Sequence, residues 1–178
     1  MISHDRLVSL MKSNPPLVEE MVDPTVQLQP NGIDLTLHQV REFKGPGSIG
    51  FANSDRTIAE VEPVEFDSRG WVKLGKGCYS IVYNEIVNIP SNFIAIAKPR
   101  SSLLRSGVSV ETAVWDAGYS GRSESLLIVS NELGFRVRKN ARLVQLIFFE
   151  MARSTSKTYS GIFQGEGINS EHHSSPSP

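Results

Sequence analysis

The sequence predicts an all-β protein, a sandwich or a distorted β-barrel of jelly-roll type, on three observations. Apolar and polar residues alternate in many short runs, turn formers punctuate those runs at regular intervals, and helical periodicity is clear only once, near the start. Runs of that kind bury one face each and close on one another as sheets, not as helix layers.

The one clear helix spans residues 3–12. Ser3 can cap it, Leu7, Leu10 and Met11 fall on one face, and Pro15-Pro16 stop it. Leu17–Met21 adds at most a further turn. From there the period becomes two: Ile33, Leu35 and Leu37 face a core, while Asp34, Thr36 and His38 face the other way. Strand-like runs follow at Trp71–Leu74, Tyr79–Tyr83, Phe93–Ala97, Leu126–Ser130 and Val144–Phe149. Gly45-Pro46-Gly47, Gly75 to Gly77, Ser91-Asn92 and Leu133-Gly134 separate them. Gly45–Arg56 is turn-rich and polar, a loop or β-arm. Apolar periodicity ends at Ser154, and residues 169–178 hold nothing that could be usefully buried. The expectation is one domain over 1–168 and a disordered tail over 169–178, with His172-His173 solvated in that tail.

Bulk properties narrow the function. The 178 residues suffice for one domain with a substantial core. Eighteen Lys and Arg against nineteen Asp and Glu give a net charge of −1, which argues against binding a nucleic-acid backbone. A small anion can still be held by a local basic cluster. The lone Cys78 cannot form an internal disulfide, fits a reducing cytoplasm, and reads as a small core hydrophobe. No apolar run approaches a membrane span and no secretory core is present, so a cytoplasmic protein without a membrane partner is expected.

Four clusters could carry chemistry. Pro99–Val108 follows an alternating apolar run and ends at Gly107, which describes a short helix leaving a strand, with serines available to cap it. A helix start offers unpaired N–H groups, and Arg100 with Ser101 and Ser102 adds a guanidinium fork and two hydroxyls, suited to phosphate. An ordinary capped turn with a surface arginine reads the same way. Asp116 lies between an apolar strand end and a Gly118-x-x-Gly121 turn, displayed and not packed, with Tyr119 as a flat wall. Such an aspartate can act as a general base or hold a metal-bound water, or can simply stabilise its turn. Arg142 precedes a strand on which Gln145 interrupts an apolar run; a buried glutamine needs a partner, from backbone or ligand. Tyr159–Gly167 sets aromatics among glycines, as a mobile flap or a disordered end.

Taken in order, Gln29–Leu35, Pro99–Leu103, Trp115–Gly121, Arg142–Leu146 and Tyr159–Gly167 resemble the five ordered motifs of the dUTPase and dCTP deaminase superfamily. The resemblance covers about residues 25–168 and looks closest to archaeal dUTPases built on the deaminase-like pattern. It implies a homotrimer of distorted, dUTPase-like β-clip barrels with sites shared between chains. By the resemblance, Arg100, Ser101, Ser102 and Arg105 bind the triphosphate and Asp116 orients the attacking water. Tyr119 packs under the deoxyribose, the Val110–Val114 hairpin, Ala113 included, reads the pyrimidine, and Arg142 and Gln145 support the phosphates. Phe163 and Gln164 belong to the closing C-terminal segment. Mg²⁺ bridges phosphate oxygens, with no protein residue assigned as its ligand. The implied reaction is hydrolysis of dUTP to dUMP and pyrophosphate.

Deaminases of this superfamily need a glutamate ten positions beyond the aspartate. Leu126 stands there; counting back three from Asn131 gives Ile128, and neither carries a proton. Glu124 lies just before the apolar run, and a bulge could bring it inward. Deamination of dCTP through a displaced Glu124, alone or beside dUTP hydrolysis, therefore stays as an alternative. A non-catalytic nucleotide-binding module is a third.

Overall fold

A computed structural model describes residues 1–168. The tail and its His172-His173 pair lie outside the described residues. The N-terminal helix spans His4–Leu10; Ser3 caps it by accepting from the Arg6 amide, and Leu7 is fully buried. Ile2 ties this end to the barrel by donating to the Phe148 carbonyl. Leu17–Met21, expected to add at most a turn, holds a short strand instead, and a one-turn helix follows it. The strand, Val18–Glu19, pairs with Ile86–Asn88, and the helix, Pro24–Gln27, is capped by Asp23 accepting from the Thr25 amide. Proline opens that helix, where a missing N–H costs nothing.

Gln29-Pro30-Asn31-Gly32 is the tight turn between Leu28–Gln29 and the long strand Gly32–Phe43. That strand is the spine of the main sheet. Six strands lie side by side in the order Phe93–Pro99, Arg142–Glu150, Gly32–Phe43, Gly77–Tyr83, Glu124–Val129 and Val108–Glu111, each pair antiparallel. The sheet curls on itself into a nearly closed barrel. Its two end strands are joined through the helix Ser101–Arg105, and Gly107, at φ 71°, turns the chain out of that helix. Ile33, Leu35, Leu37, Ile81, Tyr83, Phe93, Leu127, Leu146 and Phe148, all under 2% exposed, fill the interior. At about 1.5–3 kcal/mol for each large side chain removed from water, this interior is the main source of stability.

Two bulges reset which residues face inward. Between Leu37 and Gln39 the spine slips against Gly77–Tyr83, so Val40 takes the core position and Gln39 and Arg41 move to the outer face. Between Arg142 and Val144 a second slip leaves Leu143 and Val144 both buried, and Gln145 half-buried rather than enclosed. Cys78 is exposed, against the expectation of a core position. It is the second residue of the strand on whose inner face Tyr79, Ile81 and Tyr83 lie, so alternation turns it outward.

Candidate functional site

Four neighbouring strands, Val61–Val64, Gly32–Phe43, Gly77–Tyr83 and Glu124–Val129, and the segment around Trp115 enclose a cavity of about 700 Å³ on the outer face of the sheet. The volume is within the range of small-molecule sites. Its walls include Phe43, Val61, Trp115 and Tyr159, with Asp116, Glu124, Arg41 and Glu166 as the charged groups. Asp116 is exposed, and its carboxylate makes no hydrogen bond among the described residues. It does not brace its own turn; the backbone does, through the Tyr119 amide donating to the Asp116 carbonyl. Trp115 fixes the start of this turn by pairing both backbone groups with Ala95 and by donating from Nε1 to Ser123 Oγ at 2.6 Å.

Tyr119 is buried, in edge contact with Tyr159. Its hydroxyl donates to Glu166 Oε1 at 2.7 Å and lies 3.1 Å from Ser123 Oγ. Burial raises the Tyr119 phenol far above its ordinary range and also raises the Glu166 carboxyl. Gln164 donates to the Gly118 carbonyl and accepts from the Ser120 amide. Ala113 and Phe163 line the cavity from opposite sides of the chain's course. The C-terminal segment 159–168 is thus seated on the Ala117–Arg122 turn. Arg122 reinforces the seat, donating to the Gly167 carbonyl, the Asn84 carbonyl and Glu20.

The other expected site residues gather elsewhere. Arg100 is the N-cap of the helix Ser101–Arg105 but makes no side-chain capping bond. The serines do not cap either. Arg100 donates its amide to the Leu143 carbonyl and stays extended, which places Ser101 and Ser102 inside the first turn, both exposed. Arg105 is exposed at that helix's end. The Arg100 guanidinium binds Asp34 Oδ2 at 2.6 Å, and Arg142 binds the same oxygen at 3.2 Å and the Val26 carbonyl at 2.7 Å. Asp34, expected simply to face away from the core, is therefore buried beneath two arginines. Burial pushes its carboxyl up, and Arg100 and Arg142 hold it back. Gln145 lies against Gly32, where a Cβ would stand 3.1 Å from its Cγ and 2.3 Å from the Leu146 carbonyl oxygen.

One chain therefore carries two separate clusters. Trp115 bridges Ala95 antiparallel, so the step to Asp116 leads away from Arg100 along the strand. At 3.3 Å per residue the two are roughly 20 Å apart. Asp116, Tyr119, Ala113, Phe163 and Gln164 belong to the cavity side; Arg100, Ser101, Ser102, Arg105, Arg142 and Gln145 belong to the other.

Three residues around these clusters escaped the sequence reading. Arg41 was masked by the bulge that changes its face. Glu166 stood in a segment without periodicity. Glu85, fully buried, accepts from Gln27 Nε2, the Thr36 amide and the Thr36 hydroxyl, beside the Asp34 backbone; burial raises its carboxyl. Only its place in the apolar run Tyr79–Ile89 hinted that it was enclosed. Glu124 enters the cavity without any bulge: its strand pairs regularly from Glu124 to Val129, and a spacing of two puts it on the face of Leu126.

Residues 1–151 match the family model described as dCTP deaminase-like. The chain belongs to the dCTP deaminase-like family. A protein of Methanosarcina mazei named probable deoxyuridine 5′-triphosphate nucleotidohydrolase is 50% identical over 95% of this chain and 99% of its own length. A protein of the same name from Archaeoglobus fulgidus is 47% identical over 86% of this chain and 90% of its own. Among solved structures, the 2′-deoxycytidine 5′-triphosphate deaminase of Agrobacterium tumefaciens superposes with a TM-score of 0.65 at 22% identity. It is matched over 83% of this chain and 47% of the other, so this chain spans about half of that protein. That likeness shows the fold, and the barrel expected from the sequence is the one found.

Proposed function

We propose that this chain is a dUTP diphosphatase, hydrolysing dUTP to dUMP and pyrophosphate. One observation carries the reading: an exposed carboxylate with no partner among the described residues, Asp116, at a nucleoside-sized cavity walled by Tyr119. The archaeal relatives' names point the same way. Asp116 orients water against the α-phosphorus and takes up its proton as the P–O bond to the leaving pyrophosphate breaks. Tyr119 supports the deoxyribose, Ala113 and its neighbours line the base, and Phe163 and Gln164 close the C-terminal side. The phosphate tail needs Arg100, Ser101, Ser102, Arg105, Arg142 and Gln145, which the chain displays on its other cluster. A homotrimer supplies both, the phosphate cluster of one chain facing the cavity of its neighbour.

The described residues contain no group of three His, Cys, Asp or Glu able to cage a metal. A single free carboxylate beside a triphosphate suits Mg²⁺, which keeps its waters and takes substrate phosphates as ligands. No protein residue is assigned as its ligand, and the ion, when bound, would neutralise phosphate charge. No helix among the described residues is long and apolar enough to cross a membrane.

Incubation with dUTP and Mg²⁺ should release pyrophosphate and dUMP; absence of both across pH and temperature would refute the reading. Asp116→Asn should retain nucleotide binding and lose about 10²–10⁴-fold in rate. An unimpaired variant would mean another group positions the water. Leu126 lines the cavity where deamination needs a proton carrier, so dCTP should yield no ammonia.

A further inference from the structure

We propose that Arg41 and Glu124 form a side-chain reader for the imide edge of uracil, setting the preference for uracil over cytosine; this rests on the dUTP reading above. Arg41, Ser80 and Leu126 stand in register across three adjacent strands, with Glu124 two residues from Leu126 on the same face, and all four line the cavity. The Arg41 guanidinium is mostly buried and pairs through Nη2 with Glu124 Oε2, the same nitrogen lying 3.3 Å from Ser80 Oγ. The remaining groups are unspent. Arg41 Nε is buried without an acceptor, and Glu124 Oε1 has no partner among the described residues. A buried unpaired donor is rare in a folded protein and marks a place where an acceptor is missing.

A guanidinium N–H beside a free carboxylate oxygen presents a donor next to an acceptor. Uracil presents the complement, a 4-carbonyl oxygen next to an N3–H. Cytosine presents the reverse, a 4-amino group next to a bare N3. The amino group meets the guanidinium donor to donor, and the N3 lone pair meets the carboxylate. Both contacts fail together, so the pair selects by repulsion as well as attraction. The apolar lining from Phe43, Val61 and Trp115 keeps competing water away from that edge. Arg41 holds Glu124 Oε2, which leaves Oε1 as the oxygen turned to a ligand.

The test compares wild type, Glu124→Ala and Glu124→Gln on dUTP, N3-methyl-dUTP and dCTP, with melting temperature as the control for folding. In wild type, dUTP should exceed N3-methyl-dUTP in kcat/KM by about a hundredfold or more. Glu124→Ala should lose about 10–100-fold on dUTP while N3-methyl-dUTP changes by less than about threefold. Glu124→Gln, which can turn an amide N–H toward the cytosine N3, should narrow the dUTP:dCTP ratio by about tenfold. Unchanged discrimination in both folded variants would overturn the proposal and leave the base to the backbone around Ala113. Ammonia release from dCTP that Glu124→Gln abolishes would also overturn it, in favour of a proton shuttle. Calorimetry with dUMP keeps the two readings apart: dUMP binding lost in Glu124→Ala supports the reader even without turnover, and equal binding by wild type and variant counts against it.

Discussion

Asp34 shows how a single side chain organises one half of the molecule. Its carboxyl is 3% exposed and serves two guanidinium groups that are each about one-third exposed. Removing one partner of a buried pair leaves the other uncompensated, and the arginines' access to water reduces that cost. Asp34→Ala should destabilise by about 1–3 kcal/mol in urea unfolding. A neutral result would mean that Arg100 and Arg142 are held by the backbone alone. Gly32 is constrained just as locally. A methyl there would stand 2.3 Å from the Leu146 carbonyl oxygen, in the ladder between two central strands. Gly32→Ala should cost about 1–3 kcal/mol, the range for overpacking, with wild-type stability excluding the contact.

The C-terminal segment is held to the Ala117–Arg122 turn by backbone and side-chain hydrogen bonds, one of which titrates. Tyr119 donates to Glu166, and burial raises the Glu166 carboxyl above its ordinary range. A carboxyl whose pKa is higher in the docked state than free favours docking most fully below the free value. That contribution is lost as pH rises through the docked value, because the buried group must then carry its charge. Protease cleavage within 159–167 should therefore be slower near pH 5 than near pH 8, beyond the protease's own pH response measured on a free peptide. Glu166→Gln keeps an acceptor for the tyrosine and should flatten the dependence; an unaltered slope would assign it to another group. The same segment reads in the sequence as a flap, yet its hydrogen bonds could not be read there, since it has no period to reveal which side chains turn inward.

Over the whole chain, Asp116 and Arg100 are separated along the strand Phe93–Pro99, and the proposed site shared between copies predicts complementation. Asp116→Asn and Arg100→Ala should each be nearly inactive. Mixed in equal amounts under conditions that exchange subunits, they should regain about a quarter of wild-type activity, since one neighbouring pair in four combines an intact cavity with an intact phosphate cluster. No recovery on mixing, with exchange verified by mass, would place both clusters' work within one chain.

Much of the barrel was legible because alternation is a local property: Ile33, Leu35 and Leu37, or Phe93, Ala95 and Ala97, announce strand and face together. The motif around Arg100 and the turn around Asp116 were legible too, since proline, glycine and charge act over a few residues. What the chain order could not convey was register. A slip at Leu37–Gln39 turned Arg41 to the cavity, and another at Arg142–Val144 left Gln145 half-exposed. Long-range packing, not composition, drew Asp34 under two arginines and set Glu166 against Tyr119. Local backbone preference fixes strands and turns; which side chains meet is settled when distant strands pair, because a one-residue shift exchanges the two faces of a sheet.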